Sequence, residues 1–157
     1  MRASGEVHDG RWSGLSRSEL IALGRRTVTG RLQEIGARIE SGSETGAGPL
    51  AVTTAGGREI ELFVSTQRLG GYAFWTKRRL QPAEDRFAAI VLLAGDDDPE
   101  VLLVPSTDWL DAQPPLRDRD NIGKRSEAEW GISLAASWLP TLRRYAWDPA
   151  TAKELLA

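Results

Sequence analysis

Aromatic and cationic residues are concentrated in one short segment of the chain, which reads YAFWTKRR from Tyr72 to Arg79. Rings stack on nucleobases and cations neutralise phosphates, so this combination is typical of surfaces that bind single-stranded nucleic acid. If the segment is a strand, Tyr72 and Phe74 share one face while Trp75 lies on the other. One interpretation is a binding surface; the other, which we favour for the rings, is packing in the core. In either case we expect the cations to face solvent, because burial of a charge is costly.

Three arginines on a predicted helix that precedes this segment could extend the basic surface: Arg25, Arg26 and Arg31. The alternative, which we favour, is a solvated helix face on which arginines pair with glutamates, each pair contributing roughly 0.3–0.5 kcal/mol. Under the binding interpretation, the predicted nucleic-acid-binding residues are Arg25, Arg26, Tyr72, Trp75, Lys77, Arg78 and Arg79.

Hydrophobic periodicity predicts the elements that position these residues. A helix begins after a Ser16 or Ser18 cap, continues with apolar residues at helical spacing and ends at Gly36. Period-2 patterning and apolar runs predict strands at 50–52, 58–66, 72–76, 87–94 and 101–104. The first two strands are expected to form a hairpin, and the last two a central hairpin buried on both faces.

The order of these elements predicts an α+β or mixed α/β fold, with a five-stranded, largely antiparallel-hairpin mixed sheet flanked by helices. Residues 110–124 are expected as a long surface loop, 130–134 as a final edge strand and 137–145 as a closing helix. The chain has 157 residues, of which 41% are hydrophobic, which suits one domain. We predict a flexible leader at 1–17, a single α/β domain at 18–147 and a C-terminal tail at 148–157.

Composition excludes several classes of site. The chain has no cysteine, so it has no disulfide, thiolate metal site or cysteine nucleophile. Its single histidine, His8, lies in the polar leader, which argues against histidine metal centres and a Ser-His-Asp triad. No stretch approaches the roughly 18 apolar residues of a membrane span, and the start of the chain lacks the apolar region of a signal peptide. We expect a cytoplasmic protein without membrane contact, and a net charge of −2 gives it no overall attraction to nucleic acid.

Five segments of the chain resemble a known superfamily: LIALGRRTVTGRLQEIGARI, GGREIELFVST, YAFWTKRR, FAAIVLL and VLLVPSTDW. They cover roughly Leu20 to Trp109 and resemble the PD-(D/E)XK nuclease-like, or restriction-endonuclease-like, superfamily, above all its small prokaryotic members. The resemblance implies a bacterial protein in which a leading helix precedes a hairpin that carries the active site. In that superfamily, an acid of the helix, an Asp opening the hairpin and a (Glu/Gln)-x-Lys on its second strand hold a divalent cation and activate water.

The chain departs from that pattern at nearly every catalytic position. Arg25 and Arg26 stand where the helix acid is expected, and the hairpin opens without an Asp, as Gly48-Pro49-Leu50-Ala51. Neither register of the second strand, Glu61-x-Phe63 or Phe63-x-Ser65, supplies the lysine. Our leading hypothesis is a nuclease fold that has lost catalysis and binds DNA, RNA or a protein partner without a cofactor. The alternative is an active nuclease in which Glu61 and Lys77 are catalytic, Glu59 assists and Mg²⁺ or Mn²⁺ is bound.

Tryptophan is concentrated in the C-terminal third, at Trp109, Trp130, Trp138 and Trp147. Because tryptophan is common at interfaces, a homodimer or a docked protein partner is a third possibility, as in a subunit of a defence or toxin–antitoxin pair. Packing in the core is the default interpretation.

Overall fold

The computed structural model describes residues 10–40 and 48–157. Within them, the helices are α1 (Arg17–Glu34), α2 (Leu139–Leu142) and α3 (Pro149–Leu156), with 3₁₀-helices at Ser106–Asp111, Ala136–Trp138 and Arg143–Tyr145. The strands are β1 (Arg38–Ile39), β2 (Leu50–Thr53), β3 (Glu59–Arg68), β4 (Tyr72–Thr76), β5 (Arg86–Leu93), β6 (Glu100–Pro105), β7 (Leu116–Arg119) and β8 (Glu129–Ser133). These described strands form a five-stranded sheet A, in the order β1-β2-β3-β5-β6, and a three-stranded sheet B, in the order β4-β8-β7. A five-stranded mixed sheet is confirmed, but the predicted strand β4 lies in sheet B and the unpredicted strand β1 takes the fifth place in sheet A. Sheet B is an addition that the sequence does not predict.

Helix α1 begins and ends where the sequence predicts. The Ser16 hydroxyl accepts a hydrogen bond from the Glu19 N–H at 3.2 Å, and the Glu19 carboxylate accepts one from the Ser16 N–H at 3.0 Å. This capping box satisfies N–H groups that have no partner within the first turn. At the other end Gly36 has a φ of +79°, the left-handed conformation that favours glycine.

Sheet A consists of two hairpins joined by a parallel pair, with β1 added antiparallel to β2. β2–β3 and β5–β6 are antiparallel, as predicted, and β3 runs parallel to β5 from the Glu61–Arg86 pair to the Arg68–Leu93 pair. The prediction of a central β5–β6 hairpin is wrong for β6, which forms the sheet edge. Val101–Val104 are nevertheless buried, because other layers cover both faces of the sheet. An apolar run therefore does not distinguish a central strand from a covered edge strand.

The chain leaves sheet A after β3, and the next strand, β4, forms an edge of sheet B. The Gly70 N–H donates to the Leu134 carbonyl at 2.8 Å and the Leu134 N–H donates to the Gly71 carbonyl at 3.0 Å, so the chain after β3 pairs with β8. Two predictions are wrong as a result. Segment 130–134 lies at the centre of a sheet rather than at an edge, and the loop predicted at 110–124 contains β7.

The core has two parts, one on each face of sheet A. Phe87, Ala89, Val91 and Leu93 of β5 pack with α1 and α3, whereas Ala88, Ile90 and Leu92 pack with sheet B. This alternation is the period of a strand that is buried on both sides. The layers are therefore helices, sheet A and sheet B.

Residues beyond the predicted domain limits also make contacts. Residues 1–9, including His8, lie outside the described residues. In the rest of the predicted leader, Arg11 pairs with Asp98 at 2.7 Å. The predicted tail at 148–157 forms α3, and Ala152 and Leu156, four residues apart on one helix face, are buried. No described helix is long and apolar enough to cross a membrane.

Candidate nucleic-acid interface

Strand β4 sorts its aromatic residues onto two faces, as the alternation predicts. Trp75 is buried, with its ring edge-on to Trp109 at 6.1 Å between centroids. Phe74 points away from the core and is 54% exposed. Trp75, a predicted binding residue, therefore packs in the core, and Phe74 is the ring that is available for stacking.

Tyr72 lies across the backbone of β8 and supports Phe74. The two rings are stacked, with centroids 6.3 Å apart and planes 26° apart. The ring fits there because Gly131 has no side chain: a Cβ at that position would lie 1.7 Å from the Tyr72 hydroxyl. The hydroxyl donates to Glu129 at 3.3 Å, and partial burial raises the pKa of Tyr72, which keeps this donor protonated. The position of the ring is therefore fixed at both ends.

The outer face of sheet B also carries two arginines. The register aligns Phe74 with Gly131 and then with Arg117, so these residues lie in one row on the same face. In the next row, the Arg119 guanidinium lies 6.0 Å from the centre of the Tyr72 ring. We call Tyr72, Phe74, Arg117 and Arg119 the aromatic face.

Lys77 and Arg78, both predicted to bind nucleic acid, are held by carboxylates. The Lys77 ammonium lies 4.2 Å from the Trp130 ring centre and pairs with Asp118 and with Asp120, the latter at 3.0 Å. Burial lowers the pKa of Lys77, but its hydrogen bonds to these two aspartates outweigh burial and raise the pKa overall. Arg78 makes two hydrogen bonds to Glu127, at 2.9 and 3.0 Å. These cations therefore tie the end of β4 to the β7–β8 segment.

Two other arginines border a groove of about 750 Å³ between α1, β3 and β4. Arg79, a predicted binding residue, and Arg17, which the sequence analysis missed, have guanidinium groups that make no hydrogen bond or ion pair within residues 10–40 and 48–157. The other lining residues are Leu20, Ile21, Arg25, Val64, Ser65, Thr66, Gln67, Tyr72, Phe74, Trp75 and Thr76. None of the described lining residues carries a carboxylate, so the groove is positively charged.

The remaining predicted cations have different positions. Arg25 borders the groove but is only 8% exposed, and its guanidinium donates to the Gly48 carbonyl at 3.0 Å. Arg26 is exposed on α1 and does not line the groove. Arg17 could have been predicted from its place next to the Ser16 cap, at the start of the helix. Arg117 was missed because its segment was interpreted as a loop, whereas it lies in β7.

The predicted catalytic pair, Glu61 and Lys77, has separate partners. Glu61 pairs with Arg86 at 3.1 Å and lines a cavity of about 230 Å³ together with Glu40, Glu59 and Asp85. Lys77 directly follows β4, which belongs to sheet B, and forms ion pairs with Asp118 and Asp120. In the part of the chain that the structure describes, no group of three or more histidine, aspartate or glutamate side chains is arranged to hold a metal ion.

The tryptophans of the C-terminal third contribute mainly to the core. Trp109, Trp130 and Trp147 are at most 9% exposed, and Trp138 is half-buried. The Trp109 and Trp130 indoles donate to the Gly131 and Leu80 carbonyls, both at 2.9 Å. A partner on this side would therefore contact few of these rings.

Comparison with family models, with curated proteins and with solved structures finds no match to this chain. The resemblance to restriction endonucleases accordingly stays a prediction.

Proposed function

We propose that this protein binds single-stranded nucleic acid and does not cut it. The observation that carries the proposal is the exposed Phe74 ring, which is stacked on Tyr72 and has arginines on two sides. Arg17 and Arg79 lie on the groove side and Arg117 along the sheet row, and none of the three has an acidic partner among the described residues. Base stacking on a supported ring and arginine contacts to phosphates are the two interactions that such ligands use. A duplex keeps its bases stacked inside, so only an unpaired base can reach Phe74.

The scaffold is, in the same proposal, a restriction-endonuclease-like fold of a bacterial cytoplasmic protein that has lost its catalytic residues. The order of α1, the β2–β3 hairpin and the β5–β6 hairpin supports it, since this is the order of elements on which the resemblance rests. Arg25 stands in the position of the helix acid, and the β2–β3 hairpin has no lysine. The absence of cysteine suits a reducing compartment.

The test is fluorescence anisotropy with a labelled single-stranded oligothymidine, its RNA counterpart and a matched duplex, in the presence of EDTA. We expect the single strands to bind more tightly than the duplex, with no requirement for Mg²⁺. Three arginine–phosphate contacts predict a slope of about −2 in a plot of log affinity against log salt concentration.

A pair of truncations tests the stacking contribution. Phe74→Ala should weaken binding by about 1–3 kcal/mol, the usual contribution of one stacked base. Leu110→Ala is the matched control, because Leu110 is also an exposed apolar residue, at 68%, but lies on the 3₁₀-helix after β6. No binding of any single strand at low salt, or an equal effect of the two truncations, would contradict the proposal.

A further inference from the structure

The free edge of β4 presents backbone groups that no described strand satisfies. The Lys77 N–H donates to the Ala128 carbonyl at 2.9 Å. Because hydrogen-bonded pairs alternate along an antiparallel ladder, Trp75 and Ala73 also bond to β8, and Tyr72 and Phe74 direct their N–H and C=O groups to the opposite edge. β4 is the outer strand of sheet B, so these groups face the groove.

Among the described residues, strand β3 also has an unpaired edge on the same groove. Its antiparallel partner β2 ends at the Leu50–Leu62 pair. The Glu61 N–H donates to the Asp85 carbonyl, just before β5, and the Leu69 N–H donates to the Leu93 carbonyl at the end of β5. The backbone groups of odd-numbered β3 residues therefore point toward β5. Val64 and Thr66 therefore direct their backbone groups away from β5, and both residues line the groove.

We propose that the groove binds an extended, acidic segment of a partner protein, which adds as a fourth strand to the β4 edge of sheet B. Strand addition satisfies both the N–H and the C=O groups of Tyr72 and Phe74, which is the main source of affinity in this kind of recognition. The proposal goes beyond nucleic-acid binding, because it adds the backbone edge of β4 to the groove arginines Arg17 and Arg79, which the two ligands would share.

The chemistry of the groove defines the partner. Arg17 and Arg79 complement carboxylates, and the described lining contributes no acid that would repel them. Leu20 and the half-exposed Ile21 offer apolar contacts for alternate side chains of the added strand. Phosphate oxygens accept hydrogen bonds but do not donate them, so a phosphate backbone cannot satisfy the exposed carbonyls of Tyr72 and Phe74. A polypeptide backbone supplies both donors and acceptors in the spacing of the strand.

The first experiment uses a synthetic peptide of about eight residues that alternates valine and glutamate, long enough to span the five residues of β4. Its binding to the full chain is measured by calorimetry and by amide NMR shifts. We expect the largest shifts at the Tyr72 and Phe74 amides. Two N-methylated versions carry the methyl groups on the valines only or on the glutamates only. Each blocks one edge of the peptide, so one version should lose about tenfold or more in affinity while the other retains it.

Charge is tested with a peptide in which lysine replaces glutamate, and with a pair of protein variants. Arg17→Glu should weaken binding of the glutamate peptide. Arg143→Glu is the control and should leave binding unchanged, because Arg143 is exposed on the 3₁₀-helix Arg143–Tyr145 and does not line the groove. The proposal is overturned if the glutamate peptide does not bind, if the two N-methylated versions bind equally, or if the lysine peptide binds as tightly. Loss of affinity confined to one N-methylated version, with the shifts on β4, supports it.

Discussion

The ring of Tyr72 occupies the space that a side chain at Gly131 would fill. A Cβ on Gly131 would lie 1.7 Å from the Tyr72 hydroxyl and 2.3 Å from the ring carbon that bears it. These residues come from neighbouring strands, and Gly131 pairs with Phe74, the ring stacked on Tyr72. The absence of a side chain at Gly131 therefore determines where Tyr72 lies in the aromatic face.

Gly131→Ala should displace Tyr72 and weaken nucleic-acid binding without unfolding the protein. The tyrosine can rotate away from the new methyl group, but Phe74 then loses its support and the hydroxyl loses Glu129. We expect a several-fold loss of oligonucleotide affinity, measured by anisotropy. Gly56→Ala is the control, since its Cβ would meet only Thr54, at 4.0 Å. Equal affinities of the two variants would show that the position of Tyr72 does not matter for binding.

Adjacent arginines should differ in their effect on binding. Arg79→Ala removes a groove cation that has no acidic partner in the described part of the chain, whereas Arg78→Ala removes one that Glu127 already neutralises. We expect the Arg79 variant to bind an oligonucleotide several-fold more weakly and with a salt slope reduced by about 0.7, and the Arg78 variant to change little. If the Arg78 variant loses as much, total charge rather than the groove determines affinity.

Mg²⁺ and Mn²⁺ should leave a bound oligonucleotide intact. Glu61 is engaged by Arg86, and Lys77 by Asp118 and Asp120, so the predicted catalytic residues do not share a site. The measurement is incubation of a labelled single strand and a duplex with each metal, resolved on a denaturing gel. Cleavage that Glu61→Gln abolishes would establish the alternative enzyme and would contradict the proposed function.

Local patterns in the sequence predicted local structure well. The Ser16 cap, the Gly36 stop and both hairpins of sheet A depend on residues that are close in sequence, and all are confirmed. Alternation along β4 also predicted that Trp75 lies on the face opposite Tyr72 and Phe74, but not which face is buried, and the favoured packing of all the rings in the core is wrong for Phe74. Period-2 patterning specifies a strand and its faces but not its partner, so β4 was assigned to the wrong sheet.

The candidate site depended on contacts between distant residues. Lys77 and Asp118 are 41 residues apart, and nothing near Lys77 in the sequence indicates that its charge is neutralised. Arg17 and Phe74 border one groove only because α1 and β4 meet there. The residue types for binding were therefore predictable, but which cations remain available was not.

Gly24→Ala should destabilise the protein through one contact between α1 and β3. A Cβ on Gly24 would lie 1.8 Å from the Thr66 hydroxyl oxygen, and a β-branched side chain has little freedom to move away. Overpacking of this kind costs about 1–3 kcal/mol of unfolding free energy, measurable by urea denaturation. Gly30→Ala in the same helix meets nothing within 4 Å and should stabilise the protein by up to about 1 kcal/mol.

The double variant Gly24→Ala/Thr66→Ala identifies the cause. Removal of the Thr66 hydroxyl leaves its Cβ 3.2 Å from the new methyl group, a contact that small shifts can relieve. Stability should therefore recover in part. A double variant that is less stable than Gly24→Ala alone would show that the cost comes from elsewhere in the helix.

Stability should fall in acid because of the capping box between Ser16 and Glu19 at the start of α1. The Ser16 backbone N–H, and then its hydroxyl, lower the pKa of the Glu19 carboxyl below its ordinary value of 4.5. A lowered pKa in the folded state means that the carboxylate stabilises the fold fully above the ordinary value, and that this contribution is lost as pH falls through the folded-state pKa. The variant Glu19→Gln tests this, because it keeps a capping side chain that does not titrate.

The melting temperature of the parent protein should exceed that of Glu19→Gln near neutral pH, and the difference should shrink in acid. Glu34→Gln, in the last turn of α1, controls for the loss of charge, and a Glu19→Gln difference that is constant with pH would contradict the capping role.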